Sequence, residues 1–344
     1  MLAGFAFGKI MNNGITDVPG ITVGHWTDRK AITGCTAILC PRGSLGGVSV
    51  RGASPGTRET DVLNPINRVE EVHAIMLSGG SAYGLGVADG AMRYLEENGI
   101  GVKVGDSVVP IVPSAILFDL GIGDSKVRPN AENGYHACKY ASGDPVEQGS
   151  IGAGTGATVA KTQGTQKAVK GGLGSASIDL GDGLLVGAIV AVNAIGSVYD
   201  PENGLLLAGP RIDGTMSNSM DDLISGNSFK LPDINANTTI GVVATNARLT
   251  KAQAKRLASS AQDGLALAIR PSHLIGDGDT MFSISTGEQG NIDAFSDMNR
   301  IIAGAIQAVT NSIKNAIQFA ETMGGVPAVR DLYIATFLYT GGYY

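Results

Sequence analysis

The sequence predicts an α+β protein, and three observations predict it. Short apolar, β-branched runs recur between Gly/Pro turns, which is the signature of a sheet. A few stretches instead carry helical spacing with identifiable start or stop residues. Glycine, at 50 of 344 residues, is roughly twice its usual share of about 7% yet follows no repeat period. That excludes collagen-like and low-complexity chains and points to many tight turns and small-residue sheet packing.

Taken in order, residues 15–26 read as a turn and then a strand, 35–40 as a second strand and 48–52 as a third, followed by the polar loop 53–61. Residues 74–81 form an apolar strand ending in Ser78-Gly79-Gly80-Ser81, and 83–98 carry helical spacing with Gly99 as a C-terminal stop. Residues 187–193 are an apolar strand closed by Asn193. The stretch 199–237, with Pro201, Pro210 and Pro232, has almost no periodicity, which is unusual inside a compact domain unless the segment is functional or processed. It leads into Thr238–Thr245, a β-branched, small-residue run that reads as a buried strand. Thr250-Lys251-Ala252-Gln253 is a capping box opening a helix through about Ile269. Residues 281–286 read as a strand, 291–321 as a long amphipathic helix, and 333–339 as a final strand or exposed tail.

Composition bounds the function. With 43% hydrophobic and 16% charged residues the chain reads as soluble and globular, with ample material for a large core. A net charge of −6 without any Lys/Arg block argues against nucleic acid or anionic membrane as the main partner and favours a small or neutral substrate. Residues 2–7 are too short for a signal sequence, and no apolar run suits a membrane span. Cys35, Cys40 and Cys138 cannot all pair, so a reducing cytoplasm is expected. His25, His73, His136 and His273 lack metal-ligand spacing and read as structural; neither a metal nor a cofactor is expected.

Several motifs fail on inspection. Ser81 follows a strand, but a nucleophile elbow needs glycine at position 83, which is Tyr83; Gly80, Ser81 and Tyr83 fit substrate-pocket backbone better. A phosphate loop ending in Lys161-Thr162 needs glycine at positions 155 and 160, which are Thr155 and Ala160. A calcium loop counted from Asp277 puts Met281 and Phe282 where a ligand and an invariant glycine belong. What remains is the Asn237-Thr238 junction, where a hydroxyl residue stands as loop becomes strand. If the bond before Thr238 were cut, that hydroxyl would share its residue with a free α-amine, whose ordinary pKa of about 7.7–8.0 suits a base near neutral pH. Nucleophile and base would then be one residue. The plain alternative is a loop that merely enters a strand. Likewise Asn193 is either an oxyanion donor or a turn residue, and Lys161 either a partly buried group or a solvated surface lysine.

Six ordered blocks make a resemblance specific: residues 16–25 (Thr-Asp-Val-Pro-Gly-Ile through Val-Gly-His), 52–61 (Gly-Ala-Ser-Pro-Gly-Thr-Arg-Glu-Thr-Asp), 79–85 (Gly-Gly-Ser-Ala-Tyr-Gly-Leu), 109–119 (Val-Pro-Ile-Val-Pro-Ser-Ala-Ile-Leu-Phe-Asp), 152–157 (Gly-Ala-Gly-Thr-Gly-Ala) and 277–280 (Asp-Gly-Asp-Thr). Together they resemble the DmpA-type aminopeptidase family, which includes β-peptidyl aminopeptidases and nylon-oligomer hydrolases. The Asn-Thr-Thr-Ile block, with Thr245-Asn246 beyond it, is closer to the nylon-oligomer hydrolases.

The resemblance implies an N-terminal-nucleophile hydrolase in a four-layer αββα sandwich, made as one 1–344 domain that cuts itself into chains 1–237 and 238–344. It implies Thr238 as nucleophile, Asn237-Thr238 as the processed bond, and Lys161, Asn193, Asp277 and Asp279 as neighbours of the nucleophile. Phe118 stands where the nylon hydrolases carry a pocket tyrosine. A peptide or oligoamide substrate and a homotetramer of processed units are implied too. Ornithine acetyltransferases share the fold and the self-cleaving threonine, so an acyltransferase is the alternative enzyme; a binding protein that never matures is the alternative outside catalysis.

Overall fold

A computed structural model of the chain describes residues 11–226, 237–291 and 295–332. Its two main sheets use ten strands, numbered in chain order: β1 (Thr22–Asp28), β2 (Thr33–Leu39), β3 (Leu45–Val50), β4 (Thr57–Arg58), β5 (Ala74–Ser78), β6 (Ser114–Ile116), β7 (Gly172–Asp179), β8 (Leu185–Asn193), β9 (Thr238–Arg248) and β10 (Thr280–Asn291). One sheet has the order β1-β2-β5-β6-β4, the other β7-β8-β9-β10-β3. Four longer helices, α1 (Val87–Glu97), α2 (Ala131–Lys139), α3 (Lys251–Ala268) and α4 (Ser296–Gln318), cover the outer faces.

Strand alternation builds the layers. In β8, Val186, Ala188, Val190 and Val192 join a core with Leu257, Ala261 and Leu265 of α3 and Ile301, Val309 and Ile313 of α4. The intervening Ile189 and Ala191 pack instead between the sheets, with Ile240 and Val242 of β9, Phe282 of β10 and Ile75 and Leu77 of β5. Ala74 and Met76 of β5 turn outward onto Val87 and Leu95 of α1 and Ala137 of α2. Three cores therefore separate four layers, αββα. Strands buried on both faces read as continuous apolar runs rather than alternating ones, which is how residues 187–193 and 238–245 appear in the sequence. Gly47 shows why small residues matter: a Cβ there would meet the Ala254 carbonyl at 2.5 Å, so glycine lets α3 close on β3.

Local signals place most elements. Thr250 caps α3, accepting the Gln253 N–H while the Gln253 side chain accepts the Thr250 N–H. Helix α1 ends as expected at Gly99 (φ +64°), where the Gly99 and Ile100 N–H groups return to the Glu96 and Leu95 carbonyls. Its start is later than the spacing suggests, because a 3-10 turn, Ser81–Gly86, precedes Val87. The expected helix over 291–321 is shorter, Ser296–Gln318: β10 takes the polar stretch up to Asn291 by pairing Gln289 with Ala247 and Asn291 with Arg248. The aperiodic region contains the short strands Leu206–Ala208, Arg211–Ile212 and Thr215–Met216 and the short helix Ser219–Ile224. Its residues 227–236, like the opening 2–7 and the expected strand or tail 333–339, lie outside the described residues. Among the described residues no helix is long and apolar enough to cross a membrane.

Strand β9 is central, antiparallel to β8 and parallel to β10, with Thr238 opposite Asn193 and Ile240 opposite Thr280. The end of β8 and the beginnings of β9 and β10 therefore share one edge of the sheet.

Candidate active site

That edge gathers residues far apart in the sequence. Thr238 opens β9, is 5% exposed, and donates its hydroxyl to the carbonyl oxygen of Asn237 at 2.5 Å. The same oxygen accepts the Gly278 N–H at 3.0 Å. A Cβ on Gly278 would stand 2.8 Å from Thr238 Oγ1 and from the Ser54 carbonyl oxygen, so the turn before β10 reaches the hydroxyl only as glycine.

The flanking aspartates differ in environment. Asp277 is 2% exposed; its Oδ2 accepts the Leu274 N–H at 2.7 Å, while its Oδ1 is buried with no hydrogen-bond partner among the described residues. Burial, and then the charge of Asp279, push its carboxyl up to about 7, against the Leu274 N–H, Lys161 and His273. Asp279 Oδ1 accepts the Thr239 N–H at 2.7 Å, and its Oδ2 accepts from the backbone and ring of His273.

Lys161 and Asn193 form the opposite wall. Lys161 is buried, not solvated, and its Nζ donates to the carbonyl and side-chain oxygens of Asn193, each at 3.0 Å. Burial pushes its amine down to about 7, with Asp277 pulling the other way. Asn193 Oδ1 also accepts the Thr158 N–H at 2.9 Å, and its Nδ2 donates to the Phe118 carbonyl at 3.1 Å. A cavity of about 330 Å³ opens beside this wall, lined among others by Phe118, Asp119, Ile122, Gly156, Thr158 and Lys161.

Thr238, Asn237, Lys161, Asn193, Asp277 and Asp279 thus come together, with Phe118 on the neighbouring cavity. Gly80, Ser81 and Tyr83 do not line it. Gly80 donates its N–H to Asp119 Oδ1 at 2.7 Å, and Ser81 donates to the Leu117 carbonyl at φ +53°. Tyr83 is 62% exposed beneath the guanidinium of Arg128.

Three groups escaped the sequence reading. His273 was one of four isolated histidines, and its place four residues before Asp277 was the available signal. Asp119 closes the cavity from the end of a recognised block, bonded to the Thr33 hydroxyl at 2.7 Å. Lys170 is fully buried and donates to the carbonyls of Gly154, Ala157 and Gly171, holding the loop that carries Gly156. A lysine between apolar residues and a Gly-Gly pair was its only mark.

Residues 13–330 match peptidase family S58. An uncharacterized aminopeptidase of Mycobacterium leprae (strain TN) is 41% identical over 353 residues, covering 94% of this chain and 95% of that one. A 6-aminohexanoate-oligomer endohydrolase of Kocuria sp. (strain KY2) is 29% identical, covering 79% of this chain and 74% of that one. Among solved structures, the L-aminopeptidase D-Ala-esterase/amidase of Ochrobactrum anthropi, a variant of the Ntn hydrolase fold, superposes with a TM-score of 0.69 at 21% identity over 96% of this chain and 94% of that one.

Proposed function

The chain belongs to peptidase family S58 and is an amide-bond hydrolase of that family, and from that premise we propose that it cuts its own Asn237-Thr238 bond and then works through Thr238. The observation that carries this reading is the convergence of the Thr238 hydroxyl (2.5 Å) and the Gly278 N–H (3.0 Å) on the Asn237 carbonyl oxygen. In self-cleavage, Oγ1 attacks the Asn237 carbonyl carbon while the Gly278 N–H receives the developing oxyanion. The C–N bond breaks and the proton goes to the departing amine. The ester that results is opened by water, leaving the Asn237 carboxylate and the Thr238 hydroxyl.

The new amine needs acceptors, and Asp277, which bridges to Asn237 backbone to backbone, keeps a buried Oδ1 with no hydrogen-bond partner among the described residues. In turnover the Thr238 amine, or Asp279 through a hydrogen bond, takes the hydroxyl proton as Oγ1 attacks the substrate amide. Asn193 and Lys161 stabilise the oxyanion, and Lys161, in its protonated fraction, favours the neutral amine by adding positive charge nearby. The leaving amine takes the proton, and water hydrolyses the acyl-enzyme. The substrates are peptides or small oligoamides, as the names of the mycobacterial and Kocuria relatives suggest. We place the enzyme in the reducing cytoplasm, in keeping with three free cysteines.

The test is N-terminal sequencing of the purified protein with a panel of peptide, β-peptide, D-amino-acid and 6-aminohexanoate amides. Scaling 35.1 kDa by 237/344 and 107/344 gives expected chains of about 24 and about 11 kDa, the smaller beginning Thr-Thr-Ile-Gly. A different start, or full activity from an uncut chain, overturns the assignment. Amino-acid acceptors added to the assay separate hydrolysis from acyl transfer.

A further inference from the structure

Asp279 reaches the start of β9 with help. Its Oδ1 accepts the Thr239 N–H at 2.7 Å, and its Oδ2 accepts two donors from one residue, the His273 N–H at 3.0 Å and His273 Nδ1 at 2.9 Å. An ionised carboxylate only accepts, so Nδ1 carries the proton in this pairing. The His273 backbone is left-handed, φ +61°, a conformation that costs free energy in any residue with a Cβ. Here it aims both the N–H and the ring of His273 at a single oxygen. Asp279 itself is 2% exposed, whereas the His273 side chain keeps 20% of its surface. The ring therefore stands between solvent and a carboxylate bonded to the residue after the nucleophile.

We propose that His273 is a positioning residue for Thr238, acting through Asp279. By occupying Oδ2 it fixes the carboxylate rotamer that carries Oδ1 to the Thr239 N–H. That hydrogen bond sets the peptide plane between Thr238 and Thr239, and with it the direction in which the Thr238 hydroxyl and nitrogen leave the strand. Hydrogen bonds to an ionised group are roughly twice as strong as neutral ones, which suits a clamp that must hold one geometry through two reactions. The proposal rests on Thr238 being the self-cleaving nucleophile.

Two variants test it. His273→Gly accepts the positive φ and keeps the backbone donor, so it removes the ring alone. His273→Asn also tolerates the left-handed region and offers a neutral side-chain donor in place of the ring. Precursor cleavage is followed by gel time course on freshly made chain, and kcat and KM are measured on the matured enzyme alongside Tm. His273→Gly is expected to slow cleavage about tenfold and to lower kcat about tenfold with KM within about twofold, the pattern of an interaction that matters mainly in the transition state. Added imidazole should recover part of kcat, and His273→Asn should stay within about threefold of the parent. Unchanged cleavage and kcat in His273→Gly, a rise in KM alone, or a loss that tracks Tm and ignores imidazole overturns the proposal. A parent chain left uncut before Thr238 overturns the Thr238 assignment and this inference with it; a parent that cuts beside an unaffected His273→Gly overturns this inference only.

Discussion

Each residue of the cluster separates one chemical role from another. Thr238→Ala removes the attacking oxygen, so neither self-cleavage nor amide hydrolysis should be measurable; Thr238→Ser keeps an oxygen and should retain part of both. Asp277 and Lys161 carry the pH dependence. Burial holds the Asp277 carboxyl near 7 against an ordinary 3.8, so between those values the folded chain binds more protons there than the unfolded chain. The contribution of Asp277 to stability therefore falls as pH rises from about 4 to about 7. An uncharged amide escapes that penalty. In the uncut Thr238→Ala background, Asp277→Asn should thus gain stability relative to its parent across that window, as read by urea unfolding; a difference that stays flat with pH would show that the carboxyl is not held protonated. For Lys161 the sign is reversed. Its amine is near 7 when folded and ordinarily 10.5, so its contribution rises with pH between those values. Because the charge of Asp277 favours the ammonium, Asp277→Asn should move the titration of Lys161 lower still.

At the scale of elements, the site depends on where three strand ends and one turn meet. Gly278 is the junction that touches the hydroxyl itself. Gly278→Ala sets a methyl 2.8 Å from Thr238 Oγ1 and against the Ser54 carbonyl, so the hydroxyl or the turn must move. Cleavage should slow even though no functional atom has been removed, and a normal rate on a gel time course would show that the turn has slack. The capping box of α3 provides the contrast. Thr250→Ala should cost about 1 kcal/mol in urea unfolding, from loss of the hydrogen bond to the Gln253 N–H. Cleavage should be unchanged, because that helix start does not touch the Asp277–Asp279 turn.

At the scale of the whole molecule, the position of β9 decides what happens to a cut chain. Cutting before Thr238 leaves β9 and β10 on the small chain, between β8 and β3 of the large one. The two chains should co-elute on size exclusion until denatured, and separation in native buffer would be inconsistent with this sheet order. Ile66, Ile275, Phe295 and Ile224 are each at least 78% exposed, and the mean hydropathy of the chain is +0.13. We propose that copies associate, as a tetramer, and bury part of that surface. Light scattering at micromolar concentration that finds only a 35.1 kDa species would refute it.

The sequence by itself determined the α+β class, the start of α3 and the stop of α1, the buried character of residues 187–193 and 238–245, and the Asn237-Thr238 junction. These are local matters of spacing, capping and turn chemistry. The grouping of Lys161, Asn193, Asp277 and Asp279 around Thr238 was legible only through a family resemblance, because no spacing along the chain encodes the pairing of β9 with β8 and β10. Tertiary structure alone decided the rest. Lys161 and Lys170 are buried because backbone carbonyls and an amide satisfy their ammonium groups, which a sequence of small residues does not announce. His273, one isolated histidine among four, has a role only because a left-handed backbone and a seven-residue turn bring its ring to Asp279. Burial shifts the titration of Asp277 and Lys161, and long-range hydrogen bonds such as those from the Thr239 N–H to Asp279 and from Lys161 to Asn193 aim the groups of this site; both arise only when distant segments of the chain pack together.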